Sequence, residues 1–312
     1  MVAGNMKEYL NARLINRLRK PAGCVDVVLD TDTCNEIDDQ YALAYLVRSE
    51  EKLCLKAIYA AHFHNEKTTG PAEGMEKSYE EILRVLSLME RQDLDKIVFR
   101  GSKTYLPSEG EPVISDASRD LAERAMAYCE ESPLYVIAIG AITNIASAIL
   151  MNPEIINRIV VVWLGGHAHD WPHNREFNLR QDVAGARVLF GCGVPLVQLP
   201  CQGVVSSFTI SEPELEHWLR GKNRLCDYLA DRTIEEGRKS GCMTWTRTLW
   251  DVTAVAWLLD CDFMEDKLVY SPIPEYDYTY TFSSNRHFIR YVYHIKRDRL
   301  MQDLIRKLTS CR

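Results

Sequence analysis

Five acidic side chains are crowded into residues 30–39, directly after a short apolar stretch. They are Asp30, Asp32, Glu36, Asp38 and Asp39. Carboxylates this close together repel one another and raise each other's pKa values. A hard cation relieves that repulsion, and a set of oxygen ligands favours Ca²⁺ or Mg²⁺ over zinc. The cluster therefore predicts a cation site, with a solvated acidic turn that caps a helix as the plainer alternative.

A sheet must hold these side chains in place. Short apolar stretches alternate with helical patterns along the chain, which is typical of βαβ units. Because the stretches are almost continuously apolar, they predict parallel strands that are covered on both faces. Ligands of such sheets bind outside the carboxyl ends of the strands, where the acidic cluster begins. The predicted strands are Val25–Asp30, Leu55–Ala61, Lys96–Arg100, Leu134–Ile139, Ile159–Leu164 and Pro195–Leu199.

Helical periodicity fills the intervals between these strands. The predicted helices are Asp39–Arg48, Met75–Met89, Asp116–Cys129, Ile145–Met151, Val183–Phe190, Glu212–Arg220, Leu225–Arg238, Leu249–Leu259 and Leu300–Leu308. Aromatic, alternating stretches near the C-terminus predict antiparallel strands at Lys267–Ser271, Tyr278–Ser283 and Phe288–His294.

Together these elements predict an α/β fold. We expect an open, mostly parallel Rossmann-like sheet flanked by helices, with its first strand central and a small antiparallel C-terminal extension. A helical extension is expected over residues 1–20, followed by a single domain over residues 21–312.

Bulk composition narrows the classes of partner. The 312 residues carry 37 basic and 44 acidic side chains, a net charge of −7. This balance disfavours nucleic acid and anionic membranes as partners, and no apolar run is long enough to span a bilayer. The charged N-terminus does not resemble a secretory signal, and the ten cysteines form no CxxC pair. We therefore expect a cytoplasmic protein with reduced thiols and no zinc site.

Several segments, in the same order along the chain, resemble the nucleoside hydrolases. The entry motif of that family is Asp-x-Asp, a short Pro-Gly turn, and Asp-Asp at a helix start. Here Asp30, Asp32, Asp38 and Asp39 match, while the turn 33–36 is two residues longer and lacks Pro-Gly. The other matching segments are Glu66–Thr69, Ile139–Ala146, Val160–Gly166, Glu176–Asn178 and Trp250–Asp251.

The resemblance implies hydrolysis of the N-glycosidic bond of a ribonucleoside by water that Ca²⁺ activates. It implies a calcium site made by Asp32, Asp39, Asp251 and the backbone carbonyl of Ile139, with Asp32 also acting as the base. Direct attack by water predicts inversion at the anomeric carbon. Family members are often dimers or tetramers, so a homo-oligomer is expected.

The resemblance also assigns the substrate contacts. Asp38, Glu176 and Asn178 are expected to hold the ribose, with Asn35 beside them. His62 stands where the family usually has Asn, and it is taken as a further substrate contact. One family branch has His just before the last calcium Asp, as a proton donor. Trp250 occupies that place here, as in a purine-preferring branch that stacks Trp on the base, so purine ribonucleosides are expected.

Two alternatives remain open from the sequence. Asp30-Thr31-Asp32-Thr33 resembles the nucleophile loop of haloacid-dehalogenase-type phosphatases, in which one Asp attacks phosphorus. That family needs a later acidic pair, whereas the strand Ile159–Leu164 leads to His167 and His169. The second alternative is a protein on the nucleoside hydrolase fold that binds a ribosyl ligand without cutting it.

The histidines fit no standard transition-metal spacing.

Overall fold

The structure is a computed structural model that describes residues 12–259 and 262–310. Twelve strands are assigned in these ranges. Their bounds are β1 Val25–Thr31, β2 Leu53–Ala60, β3 Val98–Arg100, β4 Leu134–Ala138, β5 Ile159–Leu164, β6 Leu196–Leu199, β7 Thr209–Ser211, β8 Thr246–Thr248, β9 Met264–Tyr270, β10 Ile273–Pro274, β11 Tyr280–Thr281 and β12 Phe288–Ile295.

The main sheet has eight strands in the order β3-β2-β1-β4-β5-β6-β12-β9. All neighbours from β3 to β12 pair in parallel, and only β12 and β9 are antiparallel. From β1 the chain first builds outward through β2 and β3, then continues on the other side with β4. This reversal places a topological switch point between β1 and β4, where open sheets bind their ligands. The expected mostly parallel α/β sheet with an interior first strand is confirmed.

Helices cover both faces of this sheet. Their bounds are α1 residues 12–17, α2 Asp38–Val47, α3 Pro71–Leu88, α4 Asp116–Arg124, α5 Thr143–Met151, α6 Phe177–Gln181, α7 Val183–Gly191, α8 Glu212–Trp218, α9 Arg224–Arg238, α10 Val252–Leu259 and α11 Arg297–Thr309. Val27 and Leu29 of β1 pack into a core with α2, α3, α9, α10 and α11, while Val28 faces a second core with α4, α5 and α7. Burial of alternate side chains in two cores explains why β1 is apolar without a polar face.

The structure moves some predicted boundaries. Lys96 and Ile97 belong to a 3₁₀ helix, Gln92–Ile97, so the third strand begins later than predicted. The predicted helix Leu249–Leu259 begins only at Val252, because Trp250 and Asp251 form a turn that lines the cavity. Sequence periodicity does not reveal this turn, because Leu249 and Trp250 are as apolar as the helix.

The C-terminal strands are partly integrated into the main sheet. The antiparallel pairing predicted for this region exists between β9 and β12, and between β10 and β11. However, β12 also pairs in parallel with β6, so it extends the main sheet rather than a separate one. Of the predicted strand Tyr278–Ser283, only Tyr280 and Thr281 are paired.

The N-terminal segment packs against the domain where it is described. Leu18 is fully buried, and the Arg17 guanidinium donates hydrogen bonds to the carbonyls of Ile156 and Ile159. Residues 1–11 of the predicted extension lie outside the described residues, so the division at residue 20 stays a prediction. In the described ranges, no helix has the length and apolarity to cross a membrane, and all eight cysteines are free thiols.

Candidate active site

A cavity of about 530 Å³ opens at the carboxyl ends of β1, β4, β5 and β6. It is large enough for a small-molecule ligand. Nine of the ten residues predicted for the site line it, and His62 is the exception. The nine are Asp32, Asn35, Asp38, Asp39, Ile139, Glu176, Asn178, Trp250 and Asp251.

Three carboxylates meet at one end of this cavity. Oxygen atoms of Asp38, Asp39 and Asp251 lie within 4.8 Å of one another, and all three residues are buried. Asp38 and Asp39 are the first two residues of α2, and Asp251 directly precedes α10. The two helices pack together, and the backbone N–H of Asp251 donates to Asp38 Oδ2 at 3.3 Å. The packing of α2 against α10 therefore joins carboxylates that are more than 200 residues apart in the chain.

Asp32 adds a fourth carboxylate beside this group. Its Oδ2 atom is buried and has no hydrogen-bond partner among the described residues. The space around it depends on Gly140, because a Cβ there would lie 3.2 Å from Asp32 Oδ1 and 3.0 Å from Ala61 Cβ. A buried carboxylate oxygen without a donor is costly unless a ligand completes it.

A supporting layer lies behind the cavity. Thr31 Oγ1 donates to Asp39 Oδ1 at 2.5 Å, and Asn144 Nδ2 donates to Asp30 Oδ2 at 2.7 Å. Asp30 is fully buried and does not line the cavity. This position leaves Asp30 unable to attack a bound phosphomonoester, which argues against the phosphatase alternative.

Burial dominates the electrostatics of the cluster. It raises the pKa values of Asp30 and Asp39 to about 7. The pKa of Asp32 is raised by burial and by the charges of Asp39 and Asp38, and the pKa of Asp251 is raised by burial and by the same two neighbours. These carboxylates can all be ionised near neutral pH only if positive charge is supplied. Oxygen-only donors, their proximity and the unpartnered Asp32 oxygen therefore fit a hard divalent cation.

The tightest group of carboxylates is not identical to the predicted metal ligands. The tight group contains Asp38, which was predicted to hold the ribose, and does not contain Asp32, which was predicted to bind the metal. Spacing along the sequence cannot separate these roles, because both residues flank one turn and both face the cavity.

The predicted carbonyl ligand has a fixed orientation. Asn178 Nδ2 donates to the carbonyl of Ile139 at 3.0 Å and to that of Leu164 at 3.1 Å. It thus joins the ends of β4 and β5 while Asn178 itself lines the cavity. A carbonyl oxygen has two lone pairs, so Ile139 retains capacity for a cation. This bridging role of Asn178 was not predicted.

Glu176 is anchored by the backbone around it. Its carboxylate accepts N–H hydrogen bonds from Gly166, Asn178 and Leu179 at 2.8–2.9 Å, which caps α6. The Cys201 thiol also hydrogen-bonds to it. Burial raises the pKa of Glu176, and the three backbone donors oppose that rise. The residue therefore presents a rigid acceptor to the cavity.

The long turn 33–36 is held by side chains from elsewhere. Asn65 Nδ2 donates to Asn35 Oδ1 at 2.8 Å, and Lys67 Nζ donates to the Asn35 carbonyl at 2.6 Å. Arg247 pairs with Glu36 at 2.9 Å. These contacts replace the rigidity that a Pro-Gly turn would supply.

His62 is placed outside the cavity lining. It is fully buried, its ring contacts Tyr105 edge-on at 4.7 Å, and its Nε2 lies 3.3 Å from Thr143 Oγ1. Burial lowers its pKa to about 4. The structure thus gives this histidine a packing environment behind the site.

Sequence reasoning misses one wall of the cavity. The loop between β5 and α6 contributes His167, Trp171, His173 and Arg175, and the segment after β6 contributes Cys201 and Gln202. From the sequence, Trp171 is a candidate for a second aromatic platform, a lid or a packing residue, and the histidines match no standard metal-site spacing. The one sequence signal is their position between Gly166 and Glu176, at a strand end.

Comparisons with known proteins match this chain to one family. A model of the inosine-uridine preferring nucleoside hydrolase family matches residues 27–299. The non-specific ribonucleoside hydrolase RihC of Salmonella schwarzengrund (strain CVM19633) is 26% identical over 262 residues, which cover 76% of this chain and 79% of that protein. RihC of Shigella dysenteriae serotype 1 is 30% identical over 145 residues, 46% of each chain.

Solved structures share the fold at low identity. A plant nucleoside hydrolase superposes with a TM-score of 0.74 at 17% identity, over 92% of this chain and 99% of its own. A purine-preferring ribonucleoside hydrolase from Gardnerella vaginalis gives a TM-score of 0.71 at 18% identity, over 91% of this chain and 98% of its own.

Proposed function

Since the chain belongs to the inosine-uridine preferring nucleoside hydrolase family, we propose that it hydrolyses the N-glycosidic bond of ribonucleosides to ribose and free base. The observation that carries this proposal is the buried group Asp38, Asp39 and Asp251, with Asp32 beside it, at one end of a ligand-sized cavity. Cleavage of this bond develops positive charge on the ribosyl ring. Preorganised carboxylates stabilise such charge in a site that excludes water.

The cation that we propose is Ca²⁺. Asp39, Asp251 and the Ile139 carbonyl would hold it, together with Asp32 and, given its place in the tight group, Asp38. When bound, Ca²⁺ lowers the pKa of a coordinated water and offsets the charge of the carboxylates. Thr31 fixes Asp39 and Asn178 fixes the Ile139 carbonyl, so these ligands need little reorganisation.

Asp32 is the proposed general base. Its Oδ2 has no partner among the described residues and can accept a proton from the attacking water, and the missing side chain at Gly140 leaves room beside Oδ1 of the same carboxylate. A positioned base contributes about 10²–10⁴-fold to rate. Attack by water on the face opposite the base gives inversion, so a β-nucleoside should first release α-ribose.

The ribose and the base have separate contacts. Asp38, Glu176, Asn178 and Asn35 line the cavity where the ribose hydroxyls would bind. Trp250, half-buried and adjacent to Asp251, offers a flat surface for the base. A large aromatic surface stacks better on a purine than on a pyrimidine, so we propose a purine preference. The name of the Gardnerella structure accords with this preference, whereas the RihC relatives are named non-specific.

We propose a cytoplasmic enzyme that acts as a homo-oligomer, a dimer or a tetramer. Cell fractionation tests the location, and a mass measured in solution tests the oligomeric state.

Turnover of a nucleoside panel tests the proposal. Inosine, guanosine, adenosine, uridine and cytidine are incubated with the purified protein in Ca²⁺, in Mg²⁺ and after chelation. We expect purines to be cleaved faster, activity to need the cation, and Asp32→Asn to lower kcat by about 10²-fold or more. Asp26→Asn is the matched control, because Asp26 lies at the other end of β1 and pairs with Lys56.

The outcomes separate the alternatives. A faster rate on uridine than on inosine would refute the purine preference. Calcium binding without turnover of any nucleoside would favour the non-catalytic ribosyl-binding protein. Release of phosphate from a phosphomonoester, abolished by Asp30→Asn, would favour the phosphatase.

A further inference from the structure

The wall built by the β5–α6 loop differs chemically from the carboxylate end of the cavity. It presents His167, His173 and Arg175 to the ligand space. The carboxylates lie at β1, α2 and α10, whereas this loop leaves the sheet at β5, two strand spacings away from β1. At roughly 4.8 Å per spacing, the two ends are about 10 Å apart along the sheet edge.

Backbone contacts fix both imidazoles in the same tautomer. The N–H of Gln202 donates to His167 Nδ1 at 3.3 Å, and the N–H of Arg175 donates to His173 Nδ1 at 3.3 Å. Because Nδ1 is the acceptor in each neutral ring, the proton resides on Nε2. The ring centroids are 5.6 Å apart. The wall therefore holds two imidazole N–H donors next to each other.

Arg175 adds a fixed positive charge to these donors. Its guanidinium lies 5.6 Å from the centre of the Tyr278 ring, and it forms no ion pair with a carboxylate in the described part of the chain. The backbone N–H of Asn174 bonds to the Tyr278 carbonyl at 2.7 Å, which ties the loop to that ring. Arg175 is exposed in the cavity lining, and its guanidinium suits a phosphate or carboxylate, which it can bind with two parallel hydrogen bonds.

The orientation of the substrate follows from the other contacts. On the proposed function, on which this step rests, the ribose hydroxyls face the carboxylates and the base stacks on Trp250. In that arrangement the β5–α6 loop is the cavity wall left for the C5′ side of the ribose. We propose that the substrate carries an anionic group on its C5′ side, with a phosphate monoester as the simplest case, and that His167, His173 and Arg175 bind it.

Among the acidic residues that line the cavity, Glu176 is the one that directly follows this loop. Glu176 lines the cavity near His167, but three backbone N–H groups and the Cys201 thiol compensate its charge. A metal ion is a poorer occupant of this wall than an anion. In the described ranges, neither histidine belongs to a group of three ligand residues within coordination distance of one another.

Binding of two simple probes tests the proposal without turnover. Ribose and ribose 5-phosphate are titrated into the calcium-loaded protein by calorimetry. We expect the phosphate ester to bind at least about tenfold more tightly, with the advantage falling as salt increases. Arg175→Gln should abolish most of this advantage while leaving ribose affinity within about twofold. Arg180→Gln is the matched control, because Arg180 is exposed, lies five residues further on, and is absent from the cavity lining.

Turnover then distinguishes the position of the anion. Inosine is compared with inosine 5′-monophosphate, and uridine with orotidine, whose carboxylate is on the base. A preference for the monophosphate that Arg175→Gln removes supports the proposal. A preference for orotidine over uridine, with none for the monophosphate, would overturn the C5′ assignment.

Failures of the two proposals are distinguishable. Equal affinity for ribose and its 5-phosphate, or a phosphate advantage that survives Arg175→Gln, would refute the anion site even if inosine is cleaved. Absence of nucleoside cleavage would refute the enzymatic proposal even if the phosphate ester binds tightly.

Discussion

Replacing Asp39 by asparagine should make the cation-free protein more stable at alkaline pH. Burial raises the pKa of Asp39 from 3.8 to about 7. The folded state therefore holds its proton more tightly than the unfolded state, where the pKa is near 3.9. The resulting stabilisation is complete below about pH 4 and is lost as pH rises through about 7. Above that pH, the folded protein carries a buried charge that the neutral amide of the variant would not carry.

The size of the effect follows from the change in pKa. A rise from 3.8 to about 7 corresponds to about 4 kcal/mol of unfolding free energy. For a domain of this size, 1 kcal/mol shifts Tm by about 2 °C, so Asp39→Asn should raise the Tm by up to about 8 °C at pH 8 in chelator. Thr31 can still donate to the amide oxygen of the introduced asparagine, so that hydrogen bond is retained.

Thermal denaturation with chelator or Ca²⁺, at pH 5 and pH 8, measures both stability and cation response. Wild-type protein should gain more from Ca²⁺ at pH 8 than at pH 5, and Asp39→Asn should lose most of that gain. The variant Asp30→Asn separates the effect of removing a buried charge from the effect of removing a calcium ligand. Burial raises the pKa of Asp30 to about 7 as well, but Asp30 does not line the cavity. The Asp30→Asn variant should therefore be more stable than wild type in chelator and should keep the stabilisation by Ca²⁺.

Glu123→Gln serves as the matched surface control, since Glu123 is exposed on α4. It should change neither the Tm in chelator nor the increase in Tm that Ca²⁺ gives. The reasoning is refuted if Asp39→Asn lowers the Tm in chelator at pH 8. It is equally refuted if chelated wild-type protein is no less stable at pH 8 than at pH 5, because buried ionised carboxylates would then carry no cost.

Substitutions at three further positions test the positioning of the site. Gly140→Ala places a Cβ about 3.2 Å from Asp32 Oδ1. The kcat for nucleosides should therefore fall about tenfold or more, with a change in Tm of a few degrees. An unchanged kcat would contradict this role of Gly140. Thr31→Val removes the donor to Asp39 and should weaken calcium affinity about tenfold by calorimetry, while Thr31→Ser should retain it. Trp171→Ala removes a 41% exposed side chain from the cavity lining. The KM for nucleosides should therefore rise severalfold at constant Tm. An unchanged KM would show that Trp171 does not contact the substrate.

The sheet and most of the site are predictable because they depend on short-range signals. Apolar strands such as Ile159–Leu164 have the bounds that the sequence predicts, since burial on both faces leaves little sequence choice. Asp32, Asp38 and Asp39 are identifiable because carboxylate density is visible within one turn. Asp251 is identifiable through resemblance alone, because nothing local distinguishes it from a helix-capping acid.

What escapes prediction depends on contacts between distant segments. His62 is predicted as a substrate contact, and the structure packs it against Thr143 and Tyr105 outside the cavity lining. Asn178 reads as a ligand-binding polar residue, yet its amide nitrogen bridges two strand-end carbonyls. Arg175 has no local motif, and its place in the cavity depends on the turn that carries Tyr278. In each case the partner is fixed by the tertiary structure rather than by spacing.

The sheet edge gives the cavity a direction that constrains any substrate. Moving from β1 to β6, the groups that face the ligand change from the Asp32 carboxylate to the Ile139 carbonyl and then to Cys201 and Gln202. Positive charge that develops during cleavage is stabilised at the acidic end, and negative charge is tolerated only at the other. A ribosyl substrate with an anionic C5′ group satisfies both ends at once, whereas the reverse orientation would place that anion among four carboxylates. The proposed anion site therefore also selects the productive orientation, in which the anomeric carbon lies near Asp32.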